Sequence, residues 1–185
     1  GPTFSGSISA TGITKLGIGN MTLAGDNRGT LTGDVVATYN AGNGQNYVTL
    51  TNQYALGGNL NNPYTAGNNL VLNGGGAFMN ANVWFQSDLR INTDSILAGS
   101  GSSALTNLVV NGYGTGAANP LNTPVNVWLS LAQIFFGNAQ LNNGPVSFRA
   151  DQTLSILGGL TGNTTSIQKW GTGALAIAGS STLSA

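Results

Sequence analysis

Residues 13–25 read ITKLGIGNMTLAG, and residues 167–179 read IQKWGTGALAIAG. The two stretches share the pattern I-x-K-x-G-x-G-x-x-x-x-A-G at a constant offset of 154 positions. Past each glycine pair, apolar residues occupy alternate positions: Met21 and Leu23 in the first copy, Leu175 and Ile177 in the second. That alternation belongs to a strand, whose side chains point to opposite faces in turn. Gly17-x-Gly19 and Gly171-x-Gly173 read as tight corners, because glycine reaches positive φ without a Cβ clash. A dinucleotide-binding loop would need a helix after the glycines, and a strand follows both copies. The stretch is therefore a building unit of strand, corner and strand, used twice. Lys15 and Lys169 are the only lysines. Beside a corner, each is expected to keep its ammonium in water with its stem over the neighbouring strand.

The rest of the composition agrees with a β fold. Of 185 residues only 5% are charged, against about 25% in typical soluble domains. Five basic residues balance five aspartates, and glutamate, histidine and cysteine are absent. Such a chain offers no basic footprint for nucleic acid and no polybasic patch for lipid. It has no thiolate or imidazole for a metal or a histidine-based triad. Surface polarity must come from Asn, Ser, Thr and Gly, which favour turns, and good helix formers never run together. No window approaches the length of a membrane helix, so direct membrane insertion of this segment is not expected. Gly1-Pro2 resembles a tag scar, which leaves 3–185 as a single fragment of a larger protein.

Short apolar triplets punctuate the chain: MTL (21–23), VTL (48–50), LVL (70–72), VWF (83–85), LRI (89–91) and LVV (108–110). VNVWLSL (125–131), IFF (134–136), VSF (146–148), LSI (154–156) and LAI (175–177) continue the series. A β-sandwich or barrel would use strands of about five or six residues. A parallel β-helix uses shorter ones, about three per coil, and buries them by stacking coil on coil. The triplets favour the β-helix, with the sandwich or barrel as the alternative. Stacking would also allow asparagines at repeated corners to form ladders. Two segments, 57–69 containing Tyr64 and 112–123 containing Tyr113, read as loops leaving the body; Tyr64 and Tyr113 are the candidate ligand-stacking residues.

The two end segments resemble the autotransporter-associated β-strand repeat, also called the passenger-associated transport repeat. Its core reads approximately K-x-G-x-G-x-L-x-L-x-G; here it is KLGIGNMTLAG and KWGTGALAIAG, with Met21 and Ile177 in place of leucines. The matching positions are Lys15, Gly17, Gly19 and Gly25, then Lys169, Gly171, Gly173 and Gly179. The resemblance implies a right-handed β-helix in a secreted bacterial passenger protein. The repeats of that family are thought to aid export and form a stalk. Implied partners are adjacent β-helix coils of the parent chain and a C-terminal outer-membrane barrel; the implied location is the bacterial cell surface.

Catalysis has few candidates. Glycoside hydrolysis needs two carboxyls about 5–10 Å apart, and the sequence pairs available are Asp88 with Asp94 and Asp26 with Asp34. Turn-stabilising roles suit them better, and Asp88 is expected to pair with Arg90 on the same face. A calcium-binding G-G-x-G-x-D repeat is missing. The expectation is a non-enzymatic structural segment without cofactor or metal. The alternative is an adhesin module that binds glycans or host surfaces through 57–69 and 112–123; a polysaccharide-cleaving enzyme comes third.

Overall fold

The computed structural model describes residues 1–38, 47–61, 67–80, 84–114 and 116–184. The protein is all-β, with 52% of residues in strands, and the described residues contain no α-helix, only a 3-10 turn at Gly116–Ala118. Every pairing between described strands is parallel, so the hairpins of an up-and-down barrel or sandwich are absent among them.

The chain makes eight passes: two parallel ladders run through all eight, and a third runs through the last five. The first pass runs from β1 (Thr3–Phe4) to β2 (Ile13–Leu16), and the second from β3 (Met21–Leu23) to β4 (Val35–Thr38). An Ala10–Leu31 bridge links these two passes between the named strands. The third pass holds β5 (Tyr47–Leu50) and β6 (Leu70–Asn73); the fourth holds β7 (Gly76–Asn80), β8 (Trp84–Phe85) and β9 (Leu89–Ile91). The fifth and sixth are each one bent strand, β10 (Ser95–Asn111) and β11 (Val125–Asn142). β12 (Val146–Ala150), β13 (Leu154–Ile156) and β14 (Leu160–Gly162) form the seventh. β15 (Ile167–Trp170), β16 (Leu175–Ile177) and β17 (Thr182–Leu183) form the eighth.

Ladder I joins β1, β3, β5, β7, the starts of β10 and β11, then β12 and β15. Ladder II joins β8, the middles of β10 and β11, then β13 and β16. Ladder III joins β2, β4, β6, β9, the ends of β10 and β11, then β14 and β17. Short passes repeat closely: Leu70 lies opposite Leu89 and Leu89 opposite Leu108, 19 positions apart each time. Leu108 lies opposite Ala139, 31 positions on, because residues 112–123 are inserted between β10 and β11. Among the described residues the sequence-based triplets recur as strands or parts of strands; Val83 of VWF lies outside the described residues. The two long strands differ from the separate pieces that the triplets suggest: their mutual pairing continues around the corners, with one register shift between Ala98 and Gly101.

One core runs through all passes. Apolar side chains sit on those of the next pass, as in Leu72, Ile91, Val110 and Leu141 on ladder III. Phe85, Leu105, Phe136 and Ile156 do the same on ladder II, and Val48, Ala77, Leu97 and Leu129 on ladder I. All twelve are buried, each contributing up to about 1.5–3 kcal/mol for the larger side chains. Three residues of strand bury too little on their own; shared columns supply what each pass lacks.

Candidate functional site

The repeated unit is a corner in both copies, but at different stages of the winding. The first copy passes from ladder III (β2) to ladder I (β3); the second passes from ladder I (β15) to ladder II (β16). The lysines behave alike: Lys15 Nζ donates to the Gly17 carbonyl at 2.9 Å, and Lys169 Nζ to that of Gly171 at 2.6 Å. Both lie in strands at inward-facing register, Lys15 opposite Ala37 and Lys169 opposite Phe148. Lys15 is only 7% exposed, and burial lowers its pKa from the usual lysine range. This corrects the expectation of a solvated Lys15. The side chain follows the inward alternation of β2, and folding over the corner satisfies its ammonium. Lys169, at the equivalent inward register of the eighth pass, is exposed.

The unit's glycines have two distinct jobs. Gly17 and Gly171 sit at φ 75° and 83°, where a side chain strains the backbone; Gly19 is likewise at positive φ. Gly25, Gly173 and Gly179 pack so closely on the neighbouring pass that an added Cβ would strike the carbonyls of Gly6, Gln152 and Gly158.

Amide side chains tie passes together along the outer wall of ladder III. Asn92 Nδ2 donates to Asn73 Oδ1 at 2.8 Å, Asn111 to Asn92 at 2.7 Å, and Asn142 to Asn111 at 3.2 Å. A second column starts at Asp88, which accepts from Asn107 at 2.8 Å; Asn107 accepts from Asn138 at 3.2 Å. Within the body, the fully buried Asn27 spans three passes, accepting from the Ile8 amide at 2.8 Å and donating to the Ala55 carbonyl at 2.7 Å.

These bonds account for most of the candidate catalytic groups. Asp88 does not pair with Arg90 among the described residues, contrary to the sequence reading; the column places Asn107 against the carboxylate instead. Asp94 accepts from the Asn126 amide at 2.8 Å and from the Tyr113 hydroxyl at 3.0 Å. Asp26 forms a fork with Arg28, which holds its carboxyl below the ordinary range. Asp34 accepts both the backbone and the side-chain N–H of Asn69 at 2.9 Å. Asp34 and Asp88 occupy the same register on ladder III with Asn69 between them. No group of three or more metal-ligating side chains occurs among the described residues.

Of the two candidate ligand residues, Tyr64 lies outside the described residues. Tyr113 is half-buried, packs against the core and is bonded to Asp94; burial raises its pKa above the usual phenol range. The insertion after it is closed on itself by Asn119, which donates to the Thr123 carbonyl at 2.8 Å and accepts from the Thr123 amide at 2.9 Å.

A recess with apolar and amide walls lies elsewhere, at the corner from ladder II to ladder III. On ladder II the outward side chains of successive passes are Trp84, Ala104 and Phe135, large, small and large. Beside them the corner carries Gly137, held so close to the Thr106 carbonyl that a Cβ would collide. Asn107 and Asn138 form the far wall and Leu157 one end of a recess of about 230 Å³. Sequence reading missed this recess, since insertions of unequal length hide the register that aligns Trp84 with Phe135. The chain finds no match among protein-family models, curated proteins or solved structures.

Proposed function

We propose that the chain is a non-catalytic structural segment of a secreted bacterial surface protein, folded as a right-handed parallel β-helix. The observation that carries this reading is eight passes on shared parallel ladders around one core, two ladders running through all eight and a third through the last five. Crossovers between parallel strands are right-handed in nearly all proteins, which supports the hand. The end passes support a place within a longer rod. Among the described residues β15 pairs only with β12 and its other edge carries no strand, while Trp170, Ile177 and Leu183 are exposed. An open parallel edge beside apolar side chains is a template for a further pass.

The mechanism is mechanical. Each pass contacts only its neighbours, so folding propagates from one pass to the next without distant partners. A chain emerging from an export pore can therefore fold as it appears, and folding outside prevents backward slipping. The repeated K-x-G-x-G corners, with their resemblance to passenger-associated repeats, support export through an outer-membrane barrel. The aspartates support this role over polysaccharide cleavage, because amides, a phenol or Arg28 engage four of them as hydrogen-bond acceptors. Residues 112–123 offer an adhesin less than their loop composition promised, because Tyr113 and Asn119 spend their polar groups within the protein.

Fusing residues 3–185 between a secretion signal and an autotransporter barrel tests the proposal. The expected result is surface display: protease added to intact cells reaches the fusion, and the released segment retains a β spectrum. Retention in the periplasm, alongside normal display of a known passenger from the same vector, would overturn it.

A further inference from the structure

We infer that the recess between Trp84 and Phe135 is a binding site for a neutral oligosaccharide lying along the stack of passes. Trp84 is 58% exposed although it stands in a strand, and its indole has no ring partner among the described residues. Ala104 separates it from Phe135, so two aromatic groups lie two strand spacings apart, about 9.6 Å, with an empty step between them. The floor beside this step is backbone, since Gly137 cannot carry a Cβ there. The packing that forbids a side chain at the corner thus also opens a trench along the axis.

Chemistry differs between the two walls. Aromatic and aliphatic groups on one side present apolar faces that suit the C–H face of a sugar ring. Asn107 and Asn138 on the other each spend one N–H on the amide column. A carboxamide has two N–H donors and two acceptor lone pairs, so each retains capacity for hydroxyl groups. Among the described residues no charged side chain lines the recess itself; Asp88, engaged by Asn107, and Arg90 lie in the adjoining hollow beyond the amide wall. That neutrality selects an uncharged polymer over a uronate or a basic peptide. The spacing between passes is also close to the ring-to-ring advance of an extended 1,4-linked pyranose chain, so successive sugars meet successive passes in register.

Calorimetric titration of the 3–185 fragment with cellohexaose, xylohexaose and chitohexaose, and with polygalacturonate as the acidic arm, tests the site. At least one neutral hexaose is expected to bind. Trp84→Ala should weaken that binding at least tenfold, and Asn138→Ala about threefold or more. Trp170→Ala, another exposed indole far from the recess in sequence and on ladder I, should leave it unchanged. Circular dichroism and melting of each variant establish that it is folded; exposed Trp84 can be removed without opening the core. Absence of binding by every neutral hexaose would overturn the assignment. So would preference for polygalacturonate, or equal losses in Trp84→Ala and Trp170→Ala.

Discussion

Replacing Asn92 by alanine removes the middle of the amide column on ladder III. Two bonds disappear: the donation from Asn92 to Asn73 at 2.8 Å and that from Asn111 to Asn92 at 2.7 Å. A net hydrogen bond contributes about 0.5–1.5 kcal/mol, so the pair contributes about 1–3 kcal/mol. Asn73, Asn92 and Asn111 are only half-buried, so water can replace part of the loss, and we expect about 1–2 kcal/mol. For a chain of this size that lowers Tm by about 2–8 °C. Asn73→Ala removes only one of the column's bonds and should cost about half as much.

Asn92→Asp sharpens the test. Its carboxylate still accepts from Asn111 but has no proton to give the Asn73 carbonyl oxygen, so two acceptors face each other. At pH 7 it should be less stable than Asn92→Ala. The unfavourable contact raises the folded-state pKa of the new Asp, so its contribution is recovered as pH falls through that value. Urea unfolding of the wild type and three variants at pH 7 and pH 3.5 measures all of this. Equal costs for Asn73→Ala and Asn92→Ala, or no acid recovery relative to wild type in Asn92→Asp, would refute the account of the column as coupled bonds.

Lys15→Met removes a desolvated charge from an inward position. Stability should change by no more than about 1 kcal/mol, while loss of an inward charge on an edge strand should increase self-association in sedimentation velocity. Gly158→Ala would drive a Cβ into the Gly137 carbonyl and the Asn138 side chain. It should cost about 1–3 kcal/mol, whereas Gly6→Ala, with open space and no positive φ, should be near neutral by thermal melting. In alkali two groups oppose each other. The raised pKa of Tyr113 contributes stability that is present below pH 10 and lost as pH rises through its folded-state value. The lowered pKa of Lys15 contributes stability above pH 10.5 that is lost as pH falls through its folded-state value. Tyr113→Phe should therefore flatten the loss of stability above pH 10, and Lys15→Met should steepen it, as read from urea midpoints.

Much of the core was legible in the sequence because three-residue apolar triplets carry both their strand period and their inward face. Met21 and Leu23, Leu70 and Leu72, Leu89 and Ile91, and Leu154 and Ile156 all point inward as alternation requires, although Ser155 is buried too. The use of asparagine ladders was legible as well, since a polar corner repeated by stacking brings amides together. What the local sequence does not encode is the phase of the winding. Lys15 and Lys169 share a motif, yet one lies on ladder III and the other on ladder I, because the unit specifies a corner and not which corner. Asp88 paired with Asn107, not Arg90, because the decisive neighbour is one pass away and not two residues away. The recess at Trp84 stayed hidden for the same reason: its walls come from passes separated by 20 and then 31 positions.

The central claim, eight passes stacked in order, is tested most directly by distances along ladder III. Thr14, Gln140 and Thr182 are exposed and lie at the same register, with Gln140 five strand spacings from Thr14 and Thr182 seven. The chain has no cysteine, so pairs of introduced cysteines can be spin-labelled without background. At about 4.8 Å per spacing, pulsed electron resonance should give backbone separations of about 24 Å for 14–140 and about 34 Å for 14–182. A 14–182 distance no longer than that of 14–140 would contradict the stacked order, because only a chain that closes on itself or folds back would bring Thr182 as near to Thr14 as Gln140 is.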